Sequence, residues 1–225
     1  MSLWNRIRPA RREYARRLRW PLRRWQLYLL EEVLEPKRAH WMGVPALKNP
    51  LDVWVYQEIV HETKPEVIVE LGNAFGGGTL FLANMLDLLG RGQVIAVDWS
   101  HEAFEAEHPR ITKVTGDTRS PETVERVREL CAGRRTMVVH DADHTYEPVS
   151  TDLRNYSPLV SPGCYFVVED GIGDLVRPKR GAPLERRAMA AAEDFAASSP
   201  DFEIDASRER FVATYNPRGF LRRIS

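Results

Sequence analysis

From residue 66 onward, short apolar runs alternate with stretches in which apolar positions return every three or four residues. The runs lie at 66–71, 93–98, 111–115, 136–141 and 163–169. A strand covered on one face alternates apolar and polar residues. Most of these runs are nearly continuous, so they predict parallel strands buried on both faces. The intervening stretches predict helices over 52–62, 80–89, 122–131, 147–159 and 184–196. Gly90 offers a stop for the second helix, and Pro148 falls in the first turn of the fourth, where proline is tolerated. After the last helix, Asp201-Phe-Glu-Ile-Asp and Arg210-Phe-Val-Ala-Thr-Tyr read as two strands joined by a short polar turn. Five strand–helix units closed by such a pair predict an α/β fold, a doubly wound Rossmann-like sheet with a C-terminal antiparallel hairpin.

The first 40 residues follow a different pattern. Trp4, Ile7, Tyr14, Leu18, Leu22, Trp25 and Leu29 recur mostly at spacings of three and four with arginines between them, which predicts one or two amphipathic helices interrupted at Pro21. The chain therefore divides into a basic arm, 1–40, and one catalytic-size domain, 41–225. The net charge is zero over 225 residues, yet the arm holds eleven Arg or Lys against four Glu, leaving the rest about seven charges negative. The arm is expected to pack on the domain or on a second subunit, a homo-oligomer being the expected state. Contact with an anionic membrane surface is the other use of such a face. An acidic body without a nucleic-acid-reading module excludes nucleic acid as a partner. Two cysteines, Cys131 and Cys164, are too few for a disulfide framework and fit a reducing cytoplasm. No apolar run reaches the roughly 20 residues of a membrane span. A cytoplasmic protein, at most peripheral to a membrane, is expected.

Candidate chemistry collects at the strand ends. The first strand stops in Glu70-Leu-Gly72-Asn73-Ala-Phe-Gly76-Gly-Gly78-Thr79, and the second stops at Asp98. Glycines let a backbone approach a ligand closely, and an acid at the next strand tip can accept the hydroxyls of a ribose. Together they predict a nucleoside site. The glycine spacing is not the G-x-G-x-x-G of a dinucleotide fold, which argues against a nicotinamide oxidoreductase, and no phosphate-binding loop of the G-x-x-x-x-G-K-[ST] type occurs. Two further strands end in Asp141-Ala-Asp143-His144 and Glu169-Asp170. Neighbouring strands lie roughly 5 Å apart, so these carboxylates meet at one rim, where like charges raise one another's pKa. A hard divalent cation relieves that repulsion, and Asp141, Glu169 and Asp170 are the expected Mg²⁺ ligands. A two-His, one-carboxylate iron site is not encoded, because His140-Asp141-Ala142 lacks the required pattern.

E-x-G-x-x-x-G-G, with Glu70 before the first glycine, resembles motif I of class I S-adenosylmethionine-dependent methyltransferases. Asp-Ala-Asp-His and Val-Glu-Asp resemble the metal-binding strand ends of catechol- and caffeoyl-CoA-type O-methyltransferases, with acid–acid in place of their Asp-Asn pair. That variant, with Gly43-Val-Pro-Ala-Leu-Lys-Asn-Pro-Leu-Asp and Asn216-Pro-Arg-Gly-Phe-Leu-Arg-Arg, is similar to the bacterial family labelled cephalosporin hydroxylase or rhamnosyl O-methyltransferase, over about residues 43–224. The resemblance implies Mg²⁺-dependent methyl transfer from S-adenosylmethionine to a small-molecule hydroxyl, a vicinal diol or a sugar of a glycolipid or natural product. It implies Glu70, Gly72, Asn73, Gly76, Gly78, Thr79, Asp98, Asp117 and Asp143 at the cosubstrate. It also implies Asp141, Glu169 and Asp170 at the metal, and His144 as general base where catechol-type enzymes carry a Lys. Relatives often have Ser where this chain has Gly78, so a hydroxyl contact is either missing here or moved to Thr79. The alternative it leaves is a non-catalytic cosubstrate-binding partner of a hydroxylase.

Overall fold

The computed structural model describes residues 39–175, 185–211 and 214–225. A two-residue hairpin, β1 (His40–Trp41) and β2 (Val44–Pro45), leads into α1 (Pro50–Thr63). Then follow β3 (Val67–Leu71), α2 (Gly77–Leu88), β4 (Gln93–Asp98), β5 (Ile111–Thr115), α3 (Pro121–Cys131), β6 (Thr136–His140), α4 (Tyr146–Tyr156) and β7 (Tyr165–Val168). The chain closes with α5 (Ala188–Ser198), β8 (Phe202–Ile204) and β9 (Phe220–Arg223). The arm expected over 1–40 lies outside the described residues except for its last two. Among the described residues, no helix is long and apolar enough to cross a membrane.

Seven strands form one sheet in the order β5-β4-β3-β6-β7-β9-β8, the first five parallel and β9 antiparallel to both its neighbours. Every residue of β3 is buried, as are those of β6 and β7, which is why their sequences run apolar without alternation. Cys131 and Cys164 are free and buried in this core. The order reverses beside β3: β4 lies on one side and β6 on the other. Loops leaving β3 and β6 part at that reversal and open a crevice at the carboxyl ends of the strands.

Local chemistry sets the helix ends. Asn49 accepts a hydrogen bond from Leu51 N and Pro50 opens α1, the capping pattern of a helix start. Helix α2 begins at Gly77, three residues ahead of the sequence expectation, because Gly76 takes φ 86° and turns the chain into it. The helix expected over 147–159 ends at Tyr156 and continues as a 3₁₀ turn over Ser157–Leu159, where Pro158 cannot donate the next helical bond.

One expectation is corrected at the C-terminal edge. The hairpin partner of β8 is Phe220–Arg223, not 210–215, of which 212 and 213 lie outside the described residues and the others are not strand. Tyr215 and Asn216 are instead drawn into the site: Tyr215 N donates to Asp52 Oδ2 at 2.8 Å, and Asp170 N donates to Asn216 Oδ1 at 3.1 Å. Gly219 then starts the final strand, where a side chain would collide with Val168 O, 2.0 Å from the position of a Cβ.

Candidate active site

The glycine turn is built from its own buried acid. Glu70 accepts from Asn73 Nδ2 at 3.0 Å and from the Thr79 hydroxyl. Burial pushes its carboxyl up, an effect opposed by Lys48 and by Thr79. Gly72 follows at φ 86°, and a Cβ there would sit 2.2 Å from Asp141 O, so the turns after β3 and β6 touch backbone to backbone. Asn73 N donates to Asp98 Oδ2 at 2.8 Å, fixing the second strand tip against the first turn. Glu70, Asn73 and Thr79 thus hold the shape of the turn. Gly76 faces the Phe104 ring and Gly78 faces Lys48.

Beside this turn lies a cavity of about 330 Å³, walled in part by Gly72, Asp98, Trp99, Asp117, Arg119 and Asp143. Four residues expected at a cosubstrate therefore border one space. Asp117 is held by Arg119, whose guanidinium and backbone N–H keep that carboxyl below the usual range. Asp143 Oδ1 accepts from Thr145 N at 2.9 Å and from its hydroxyl at 2.6 Å, ordering the turn into α4. Trp99 is 82% exposed at the rim. Its position directly after a strand-tip acid is what marks it in the sequence.

The acids at the ends of β6 and β7 divide into two groups. Single donor atoms of Asp141, His144 and Asp170 all lie within 4.8 Å of one another. His144 Nε2 stands 3.4 Å from Asp170 Oδ2 and 3.7 Å from Asp141 Oδ1, and its Nδ1 is buried with no partner among the described residues. Asp170 reaches this cluster from a left-handed backbone, φ 56°, a conformation more readily taken by Asp than by most residues. Glu169 turns the other way. Its Oε1 accepts from Lys48 Nζ at 2.8 Å and from Tyr56 OH at 2.6 Å, while Lys48 Nζ also donates to Asp141 Oδ2 at 2.6 Å. Burial raises the Asp141, Glu169 and Asp170 carboxyls; Lys48 opposes the first two and His144 opposes Asp170. Burial disfavours the Lys48 ammonium as well, yet Asp141, Glu169 and Glu70 outweigh it and hold the amine firmly protonated.

Lys48 and Tyr56 reach these acids from just ahead of α1 and from within it. Nothing local signals their role, because the acids they meet lie 93 to 121 residues away. His140 is a buried structural group: its Nε2 lies 3.1 Å from Asp152 Oδ2, which also accepts from Thr118. His101 pairs with Thr115 at 2.8 Å.

The family model described as rhamnosyl O-methyltransferase/CmcI matches residues 36–224. A rhamnosyl O-methyltransferase of Mycobacterium leprae is 34% identical over 189 residues, 80% of this chain and 81% of the relative. One from Mycobacterium tuberculosis is 33% identical over 194 residues, 82% and 78% of the two chains. A structure of CmcI with Mg and SAM superposes at TM-score 0.66 and 23% identity, over 84% of this chain and 77% of that one. A caffeoyl-CoA O-methyltransferase-like structure from Staphylococcus aureus follows at TM-score 0.53, 14% identity and 72% and 79% coverage. Both structural likenesses speak for the fold. The chain belongs to the rhamnosyl O-methyltransferase/CmcI family and is an S-adenosylmethionine-dependent O-methyltransferase.

Proposed function

We propose that this methyltransferase acts on a hydroxyl of a sugar, rhamnosyl in type, carried by a glycolipid or natural product, with Mg²⁺ at the acid cluster. The observation that carries the reading is a shared loop. Ala142 and Asp143 wall the 330 Å³ cavity, while Asp141 and His144, on either side of them, belong to the acid–histidine cluster. A cosubstrate in the cavity therefore ends beside the acids. The relatives named above carry the substrate class.

The residues fit a hard cation. Asp141, His144 and Asp170 each offer one donor atom within 4.8 Å of the others. Asp141, Glu169 and Asp170 would hold Mg²⁺, which would polarise the acceptor oxygen as a Lewis acid. Two adjacent acceptor oxygens suit such a centre, hence a vicinal diol.

His144 Nε2 takes the hydroxyl proton, a role that suits an imidazole near neutral pH. The acceptor oxygen attacks the sulfonium methyl in line; the O–CH₃ bond forms, the S–CH₃ bond breaks, and its electron pair stays on sulfur. Asp98 holds the ribose, and the Glu70-clamped turn fixes the distance between cosubstrate and acceptor. We place the basic arm against the domain or a second subunit of a homo-oligomer, contact with an anionic membrane surface being its alternative use.

The test is incubation with S-adenosylmethionine, Mg²⁺ and a panel of rhamnosyl and catechol acceptors, read by product mass and S-adenosylhomocysteine release. Methylated rhamnosyl product that disappears on chelation is the expected result. Methylation of catechols alone, or full turnover in chelator, contradicts the sugar or the metal half respectively.

A further inference from the structure

Lys48 stands where the proposed cation needs free oxygens. Its ammonium occupies Asp141 Oδ2 at 2.6 Å and Glu169 Oε1 at 2.8 Å, two of the three carboxylates assigned to Mg²⁺. Glu70 Oε1 also lies within reach of the same ammonium, at 3.5 Å. The Lys48 and Glu169 side chains are only 10% and 7% exposed, so water does little to screen these charges. Four carboxylates from three strand ends, Glu70, Asp141, Glu169 and Asp170, would be strongly repulsive without a cation among them. Lys48 is that cation, and it packs over Gly78, where a Cβ would fall 2.5 Å from Lys48 Cε.

We infer that Lys48 is the resident counter-ion of the acid cluster, and that a divalent cation takes its full ligand set only by displacing the Lys48 ammonium from Asp141 and Glu169. The inference rests on the reading of the acids as a cation site. Glu70 is the acceptor to which the displaced ammonium can turn, since it already lies beside it. The arrangement makes metal binding an exchange of one cation for another. It leaves the metal-free protein folded, and it keeps Glu169 turned from the Asp141–His144–Asp170 group until a cation arrives.

The experiment is calorimetric titration of Mn²⁺ and of Mg²⁺ into the full chain, comparing wild type with Lys48→Gln and Lys48→Met, each checked for fold by circular dichroism. Thermal melts with and without Mg²⁺ run alongside. Removing the competing charge should tighten divalent binding at least tenfold. The variants should melt lower than wild type without metal and gain more on adding it. Wild-type affinity that both variants leave unchanged or weaken overturns the exchange while the metal site stands. If no protein binds either metal, the metal site falls and the exchange falls with it. Should Lys48→Met fail to fold without metal, Lys48→Gln keeps a hydrogen-bond donor without the charge and carries the comparison.

Discussion

Asp52 shows how far burial moves a group at this site against the hydrogen bonds that oppose it. It is 4% exposed, accepts from Tyr215 N at 2.8 Å and Asn49 Nδ2 at 3.0 Å, and its carboxyl is pushed up to about 6 by burial. A carboxyl raised in the folded state keeps its proton while the unfolded chain loses one, so stability from this group is present at low pH and lost as pH rises toward 6. The loss is about 3 kcal/mol for a shift of this size. Measured by urea unfolding, Asp52→Asn should gain on wild type by that order between pH 4 and pH 7; a pH-independent difference would contradict the burial argument. Trp99 is the second residue with a direct readout. It stands at the cavity rim, so S-adenosylhomocysteine should change its fluorescence. Trp99→Ala should weaken that ligand several-fold, base–aromatic stacking being worth about 1–3 kcal/mol. Equal affinity in the variant would place the adenine elsewhere. His144→Ala should lower turnover about a hundredfold or more, as loss of a general base does, with S-adenosylhomocysteine affinity retained; wild-type rates across the pH range would remove it from the proton transfer. Residue identity gave good access to the strand-tip acids, since an acid ending an apolar run is visible in the sequence. Which way each acid turns was not visible. Glu169 and Asp170 are adjacent, yet Asp170 adopts φ 56° and faces His144 while Glu169 faces Lys48.

Elements were legible where burial dominates. Of the five parallel strands, β3, β4, β6 and β7 are buried along most or all of their length, and apolar runs mark all five to within a residue or two, including the part-exposed edge strand β5. The last strand was not, because what decides it is tertiary. Residues 210–215 hold the aromatic and β-branched residues of a strand, but Tyr215 and Asn216 have partners on α1 and at Asp170, and Phe220–Arg223 pairs with β7 and β8 instead. The β3 turn allows a sharper test of element geometry. Gly72 combines φ 86° with a 2.2 Å approach to Asp141 O. Gly72→Ala adds both left-handed strain and a backbone clash, and strain alone costs of order 1–3 kcal/mol. Its melting temperature should fall by several degrees and cosubstrate binding should vanish. A variant as stable as wild type would mean that the two turns do not meet as described.

On the scale of the whole molecule, the reversal of strand order beside β3 explains why distant residues converge. Motif I, the Asp98 tip and the Asp141–His144 loop all leave the sheet at its carboxyl edge, on the strands flanking that reversal. Fold topology thus puts the cavity beside Gly72 and the acid cluster side by side, and a single loop belongs to both. The same convergence hid Lys48 from the sequence, because a residue ahead of α1 meets acids from three strands only once the sheet has formed. The measurement that separates the two halves of the site is calorimetric titration of S-adenosylhomocysteine into wild type, Asp98→Ala and Asp141→Asn. Loss of a charged acceptor should cost Asp98→Ala about 1.5–3 kcal/mol, tenfold or more in affinity, while Asp141→Asn binds as wild type does and loses only Mg²⁺-dependent turnover. Unchanged binding in Asp98→Ala, or equal loss in both variants, would contradict a cosubstrate space distinct from the acid cluster.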